Sequence, residues 1–354
     1  MQWIELFFLL KKFTKMNRRN GIVSAGNWIV DHVKVLDGFP AENMLANIID
    51  IFQSVGGGPN NVLTNLAKLN VNLPLYGAGL IGNDADGTYI LDHLRKYGIN
   101  ADLIKQTDKL PTSFTDAMTD VDSGNRTFFH YRGANAILDI KHLEKIEVNA
   151  KIFHLAYLLL LDKLDEGDVE YGVKAARLLY QLRKKGFKTS IDVVSEEGDR
   201  FKKVITPCLP YVDYLIINEV EAAEITDIPI RNEKVICKDA SMKAAQKLIQ
   251  SGVQEIVIIH CPEGACLVDK SMKTYWIPSF ILQREEIKGA TGAGDAFCAG
   301  CLYGIHKEYA YEEILKLGHA SARFNLLDPT STEGAVSLKE LNKFIEEEGV
   351  LRTN

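Results

Sequence analysis

Two hydrophobic periods alternate along this chain from Gly21 onward. Short apolar runs read as buried strands: GIVSAG (21–26), NLPLYGAG (72–79), KIFHLAYLLL (151–160), FKTSIDVV (187–194), YVDYLIIN (211–218) and EIVIIH (255–260). Between and after them the apolar positions recur every three to four residues, which predicts helices over NVLTNLAKLN (61–70), GTYILDHLRKYG (87–98), VEYGVKAARLLYQLRKKG (169–186), EVEAAEI (219–225), ASMKAAQKLIQSG (240–252), AFCAGCLYGIHK (296–307) and EEILKLGHASARFNLL (312–327). Gly98 and Gly186 stand where such helices would stop. Strands alternating with helices predict an α/β protein in three layers, with a mostly parallel sheet covered on both faces.

Two stretches break the alternation. Residues 31–52 and TSFTDAMTDVDSGNRTFFHY (112–131) read as strands of a different kind, the second with period-2 texture around a DSGN turn. Strands inserted near 31–52 and 112–132 would form a small β lid on one domain spanning 21–350. The first twenty residues read as an extension, disordered or weakly helical. Its apolar run, Trp3 to Leu10, contains Glu5 and precedes its basic residues, the wrong order for a signal peptide, and it is too short to span a bilayer. Met16 as a start and a contact with a membrane surface are the other readings of this segment.

Composition narrows the class. With 46% hydrophobic and 25% charged residues, the 354-residue chain is an ordinary globular protein. A net charge of −6 without a basic block argues against nucleic acid as a partner, and no membrane partner is expected. Six scattered cysteines give no disulfide framework, which fits a reducing, cytoplasmic setting.

Several motifs point elsewhere. GAGLIG (77–82), with Asp102 about twenty residues on, matches a dinucleotide fingerprint, but NDAD follows where a helix should open directly. Cys298 and Cys301 form a C-x-x-C with no second pair at zinc spacing, and read as small buried helix residues. His154, His260 and His319 stand in apolar settings typical of core histidines. There is no G-x-x-x-x-G-K-[ST], G-x-S-x-G or H-E-x-x-H.

The chemistry concentrates in KGATGAGDAFCAG (288–300). Gly292 and Gly294 permit close backbone approach to a ligand, and a helix opening there presents N–H groups to an anion. Asp295 falls in the first turn, where it either caps the helix or accepts a proton from a substrate hydroxyl. GGGPNN (56–61) places glycines before a helix and asparagine amides at its start, as a hydroxyl-binding site or a plain turn and cap. In NEVE (218–221), Asn218 and Glu221 share one helical face, to order a hydrated Mg²⁺ or to serve as ordinary helix-start residues.

These three motifs, in this order, resemble those of the ribokinase-like (PfkB) carbohydrate kinases, as do LIGNDADGTYILDHLRKYGIN and GNRTFFHYRGANA; the likeness runs from Gly21 to Leu341. The resemblance implies a ribokinase-like sandwich with a sugar site under the lid and ATP across the carboxyl edge of the sheet. It implies Asp295 as catalytic base, with Gly292, Ala293 and Gly294 as the anion hole. Asn218 and Glu221 match the Mg²⁺/phosphate motif, Glu221 acting through water. Asp31, Gly57 and Asn61 match the sugar site, and Asp162 an acidic substrate contact. Thr291, Gly264 and His319 fall on the nucleotide side. Two residues depart from the pattern. Gly289 stands where the family usually has an Asp that helps hold a monovalent cation, so K⁺ activation is not implied, and Cys261 stands where a glycine is common.

The expected activity is ATP-dependent phosphorylation of a sugar hydroxyl. Arg132 or Arg126 would serve a sugar acid, as in 2-keto-3-deoxygluconate kinases, or simply lie exposed on the lid. A nucleoside kinase of the same fold is a rival, with Trp28 the candidate for base stacking. A sensor without catalysis and a dehydrogenase reading of GAGLIG are the others. The exposed edge and apolar face of a lid predict a homodimer formed through it.

Overall fold

The computed structural model describes residues 19–122, 124–195, 200–233 and 235–352. The N-terminal segment through residue 18 and Ser123 of the DSGN stretch lie outside the described residues. The central sheet is built from β1 (Ile22–Gly26), β4 (Leu75–Gly82), β5 (Asn100–Thr107), β8 (Ile152–Leu158), β9 (Lys188–Val193), β10 (Tyr214–Asn218), β11 (Ile256–Cys261), β12 (Gly264–Asp269) and β13 (Thr274–Pro278). Their order is β13-β12-β11-β10-β9-β8-β1-β4-β5. From β5 to β11 every neighbour pair is parallel, and β12 and β13 add an antiparallel edge.

The continuous apolar runs have a simple cause. Successive strand residues face opposite layers, and both layers are covered. Thus Val23, Phe153, Leu215 and Val257 enter one core with helices α3 (Lys174–Lys184), α4 (Glu219–Thr226) and α5 (Lys238–Gln250). Their chain neighbours Ile22, Ile152, Tyr214 and Ile256 enter the other core, with α1 (Gly58–Lys68), α2 (Ala85–Lys96), α6 (Ala293–Lys307) and α7 (Tyr311–Leu326).

The lid is a second sheet of four strands, β2 (Ile29–Leu36), β3 (Ile48–Gly56), β6 (Phe114–Asp120) and β7 (Arg126–Tyr131), in the order β3-β2-β6-β7. Asn135 ties it to the body: its amide donates to Asn27 Oδ1 at 2.6 Å and to the Trp28 carbonyl at 2.8 Å. Asp84 caps α2 and also accepts the N–H and hydroxyl of Thr112 at 2.7 and 2.6 Å, which anchors the approach to β6.

Several elements differ from the expectation. The predicted helix at 169–186 starts only at Lys174, because Asp168 accepts the N–H groups of Glu170 and Tyr171 in a turn and Gly172 has φ 83°. The helix expected from 61 begins three residues earlier, with Pro59 in its first turn. GAGLIG lies inside β4 rather than at a strand-to-helix turn. Its Gly79 makes room for Trp28, whose ring stands 2.6 Å from where a Cβ would be. Trp28 is fully buried, donates from Nε1 to the Ala78 carbonyl at 2.8 Å, and offers no face to a base. No helix among the described residues is long and apolar enough to cross a membrane. All six cysteines are free.

Candidate active site

The strand order reverses at β1, which lies between β4 and β8. Chains leaving the carboxyl ends of neighbouring strands diverge at such a point and open a crevice. The start of α6 fills it. Gly292 is the N-cap, in the left-handed region at φ 77°, and a Cβ there would stand 2.6 Å from the Ser331 carbonyl oxygen. Among the described residues the N–H groups of Gly294 and Asp295 have no acceptor. Both are donors at the positive end of a 15-residue helix, as an anion site requires.

Asp295 does not cap this helix. Its carboxylate is 4% exposed and is held by side chains from two other elements. Tyr157, at the end of β8, donates its hydroxyl to Oδ1 at 2.5 Å, and Asn61 in α1 donates its amide to Oδ2 at 2.8 Å. The Asn61 carbonyl in turn accepts Ser331 Oγ at 3.0 Å, which fixes the amide orientation. Burial raises the Asp295 pKa to about 6, against the two hydrogen bonds that lower it.

Two cavities meet at this loop. One of about 470 Å³ is lined by Asn218, His260, Phe297 and His319 together with Ala293 and Gly294. The other, about 150 Å³, lies under the lid and is lined by Asp31, Ser54, Arg126 and Phe128 together with Thr291 and Ser331. Residues 290–294 are therefore a shared wall. His319 Nε2 donates to the Ile277 carbonyl at 3.1 Å, and burial lowers its pKa to about 3, so the ring is neutral. Thr291, expected on the nucleotide side, lines the lid cavity.

The glycines of GGGPNN are required by close approach. A Cβ on Gly57 would stand 1.8 Å from the Asn27 carbonyl oxygen, and one on Gly56 would stand 2.2 Å from Asp31 Oδ2. Asp31 is pushed up to about 6, chiefly by burial, with His32 and Arg126 opposing.

Asn218 and Glu221 form a complete capping box. Asn218 Oδ1 accepts the N–H groups of Val220 and Glu221 at 2.9 Å, and Glu221 accepts the Asn218 N–H at 3.0 Å and Ser195 Oγ at 2.9 Å. Glu221 is 3% exposed, and burial raises its pKa. Asp192 is also buried and raised, with Glu221 and Asp295 as its charged neighbours. No ion pair to Asp192, Glu221 or Asp295 is seen among the described residues. The Glu221 oxygens already have donors, so this residue would hold a divalent ion only through water.

Other expected site residues are placed differently. Arg132 Nη1 bonds the Leu159 carbonyl at 2.9 Å and Asp162 at 3.1 Å, so these two candidates pair with each other and line neither cavity. Gly264 sits at the start of β12, packed on Trp276, and lines neither cavity. Three residues were missed. Tyr157 sits at the end of an apolar run that signals only a strand. His260 lies in the nucleotide-side cavity against Phe297, ring centroids 4.7 Å apart, where a core role was expected. Asp192 precedes no recognisable spacing.

A Clostridium botulinum 5-dehydro-2-deoxygluconokinase is 23% identical over 301 residues, covering 83% of this chain and 84% of its own. A nucleoside kinase of Methanocaldococcus jannaschii is 22% identical over 303 residues, covering 86% and 89%. Among solved structures, the Arabidopsis thaliana ribokinase complexed with ribose and ATP superposes with a TM-score of 0.74 at 21% identity, covering 93% of this chain and 99% of that one. The model of the pfkB family of carbohydrate kinases matches residues 19–337, most of the chain. With a ribokinase fold around a buried aspartate at a helix start, the chain belongs to the pfkB carbohydrate kinase family and is a phosphotransferase.

Proposed function

We propose that this kinase transfers the γ-phosphoryl group of MgATP to a hydroxyl of a small sugar or sugar acid, with Asp295 as the base. The observation that carries the reading is the shared wall: Ala293 and Gly294 face the larger cavity, Thr291 faces the cavity under the lid, and Asp295 follows them. ATP occupies the larger cavity, with His260, Phe297 and His319 around its base. The acceptor lies under the lid, with Asp31 and Asn61 toward its hydroxyls.

In the transfer, the acceptor oxygen forms a bond to Pγ as the bond from Pγ to the bridging oxygen of ADP breaks. The hydroxyl proton passes to Asp295. The N–H groups of Gly294 and Asp295 donate to the phosphoryl oxygens, where charge is spread in a loose transition state. Glu221 and Asn218 would hold a hydrated Mg²⁺, which would supply neutralising charge to the phosphates. The lid excludes water from the bond being broken.

Arg126 favours an acidic acceptor. It lines the lid cavity, and its guanidinium reaches two neutral oxygens at long range, Thr291 Oγ1 at 3.5 Å and the Pro329 carbonyl at 3.4 Å. A guanidinium so placed is suited to bidentate contact with a carboxylate. The lid also supports a homodimer in a cytoplasmic setting. Leu45, Ile51 and Phe129 are 90%, 69% and 57% exposed, a costly apolar surface for a single copy. Sedimentation at micromolar concentration should give a dimer, and Ile51→Glu a monomer.

ADP release from MgATP with 5-dehydro-2-deoxygluconate, ribose, fructose and inosine tests the reading. Turnover with the sugar acid or a sugar is expected. Turnover with inosine alone moves the protein to the nucleosides, and no turnover with any acceptor overturns the proposal.

A further inference from the structure

Asp295 accepts two side-chain hydrogen bonds, from Asn61 on one oxygen and from Tyr157 on the other. Tyr157 is fixed on both sides. Its ring lies against the first turn of α1, where a Cβ on Gly58 would stand 2.9 Å from Cε1 and 3.0 Å from Cζ. Its hydroxyl donates to Asp295 Oδ1 at 2.5 Å. Asn61 occupies Oδ2 from the other side. A carboxylate oxygen accepts more than one hydrogen bond, so each oxygen keeps acceptor capacity for an incoming hydroxyl.

We propose that Tyr157 is a positioning residue for Asp295: its phenol holds the carboxylate ionised and in one orientation, with free acceptor capacity turned to the acceptor hydroxyl. The role of Asp295 as base rests on the function proposed above; the bond itself does not. The proton taken from the acceptor goes to Asp295, and the phenol keeps its own.

The surroundings favour this assignment of donor and acceptor. The titratable groups around Asp295 are Tyr157 on β8, Asp192 on β9 and Cys298 one turn further along α6, with His154 behind Cys298 at 4.0 Å and Glu221 beyond Asp192. Burial, then Asp295, Asp192 and Glu221, push the phenol of Tyr157 well above its ordinary value, so it stays a donor. Burial likewise raises the Cys298 thiol and lowers His154 to about 3, leaving both uncharged near neutrality. A hydrogen bond to the charged form lowers a carboxyl pKa, so losing the phenol must raise that of Asp295.

The test is a pH titration of protein carrying [γ-¹³C]aspartate, followed by NMR, with Asp295→Asn identifying the signal. Tyr157→Phe keeps the ring on Gly58 and should raise the midpoint by about one pH unit, the scale of one charge-assisted bond. A 3-fluorotyrosine in place of Tyr157, a stronger donor, should lower it. The acid limb of kcat/KM with MgATP and 5-dehydro-2-deoxygluconate, ribose, fructose or inosine should move the same way. If none of these turns over, the kinase reading fails while the titration still judges Tyr157. A wild-type midpoint in Tyr157→Phe overturns the proposal, as does a loss of rate equal at every pH with an unmoved limb.

Discussion

Helices α4 and α6 both begin where the chain leaves the carboxyl edge of the sheet, and each has an acidic residue third in its first turn. At the start of α4, Glu221 accepts the N–H of Asn218, and Asn218 returns the favour to Glu221. At the start of α6 the N-cap is Gly292, and Asp295 accepts from Asn61 and Tyr157 rather than from its own helix. Position alone therefore does not separate an acid that caps its own helix from one held apart from it. The separation lies in which donors hold it: the cap residue of its own helix together with Ser195 for Glu221, and only distant side chains for Asp295. The consequence is that at α6 the N–H groups of Gly294 and Asp295 have no acceptor among the described residues, whereas at α4 those of Val220 and Glu221 are taken by Asn218 Oδ1.

The comparison breaks most visibly at Asp295. Asp295→Asn should lower kcat by about 10²-fold or more, the scale of a missing proton acceptor. Its stability should move the opposite way. The folded pKa of about 6 lies above the ordinary carboxylate value, so the native state binds more protons between about pH 4 and 6 and loses stability as pH rises through that window. Above it, thermal unfolding of Asp295→Asn should occur at or above the wild-type temperature. At Glu221 the order reverses. Glu221→Ala should cost about 1 kcal/mol through the broken capping box, seen as a fall of about 1–2 degrees in Tm, with a smaller loss of turnover than Asp295→Asn. Ser331→Ala frees the Asn61 amide to turn and should cost a few-fold in kcat/KM, about the worth of one hydrogen bond. Smallest of all is the alkali cation. A Cβ on Gly289 would stand 2.9 Å from Pro329 Cα, so no carboxylate fits there, and rates in K⁺ and Na⁺ should agree.

Much of this was legible in the residues. The buried strands β1, β4, β8, β9, β10 and β11 are short apolar runs because both faces are covered, and that pattern needs no tertiary knowledge. Strands β5, β12 and β13 went unread. β5 and β13 lie at the two ends of the sheet, where NADLIKQT and TYWIP mix polar and apolar residues, while β12 lies one strand in and is buried throughout. Asp295 and Asn61 were legible because glycines mark their turns. Tyr157 was not, since only the fold brings the end of β8 to a residue 138 positions away. Arg132 was the first candidate in sequence and Arg126 the alternative. The structure separates them: β7 carries Arg126 to the lid cavity, and Arg132, just past the strand, turns to Asp162.

The central claim is that Asp295 is a buried base between two cavities. Its most direct test is the pH dependence of kcat/KM for ADP formation from MgATP and the best acceptor of the four-compound panel. The account predicts an acid limb centred near pH 6, kept in Asp31→Asn although Asp31 also titrates near 6, and abolished with the activity in Asp295→Asn. A limb near pH 4, or an Asp295→Asn profile like that of the wild type, would contradict it.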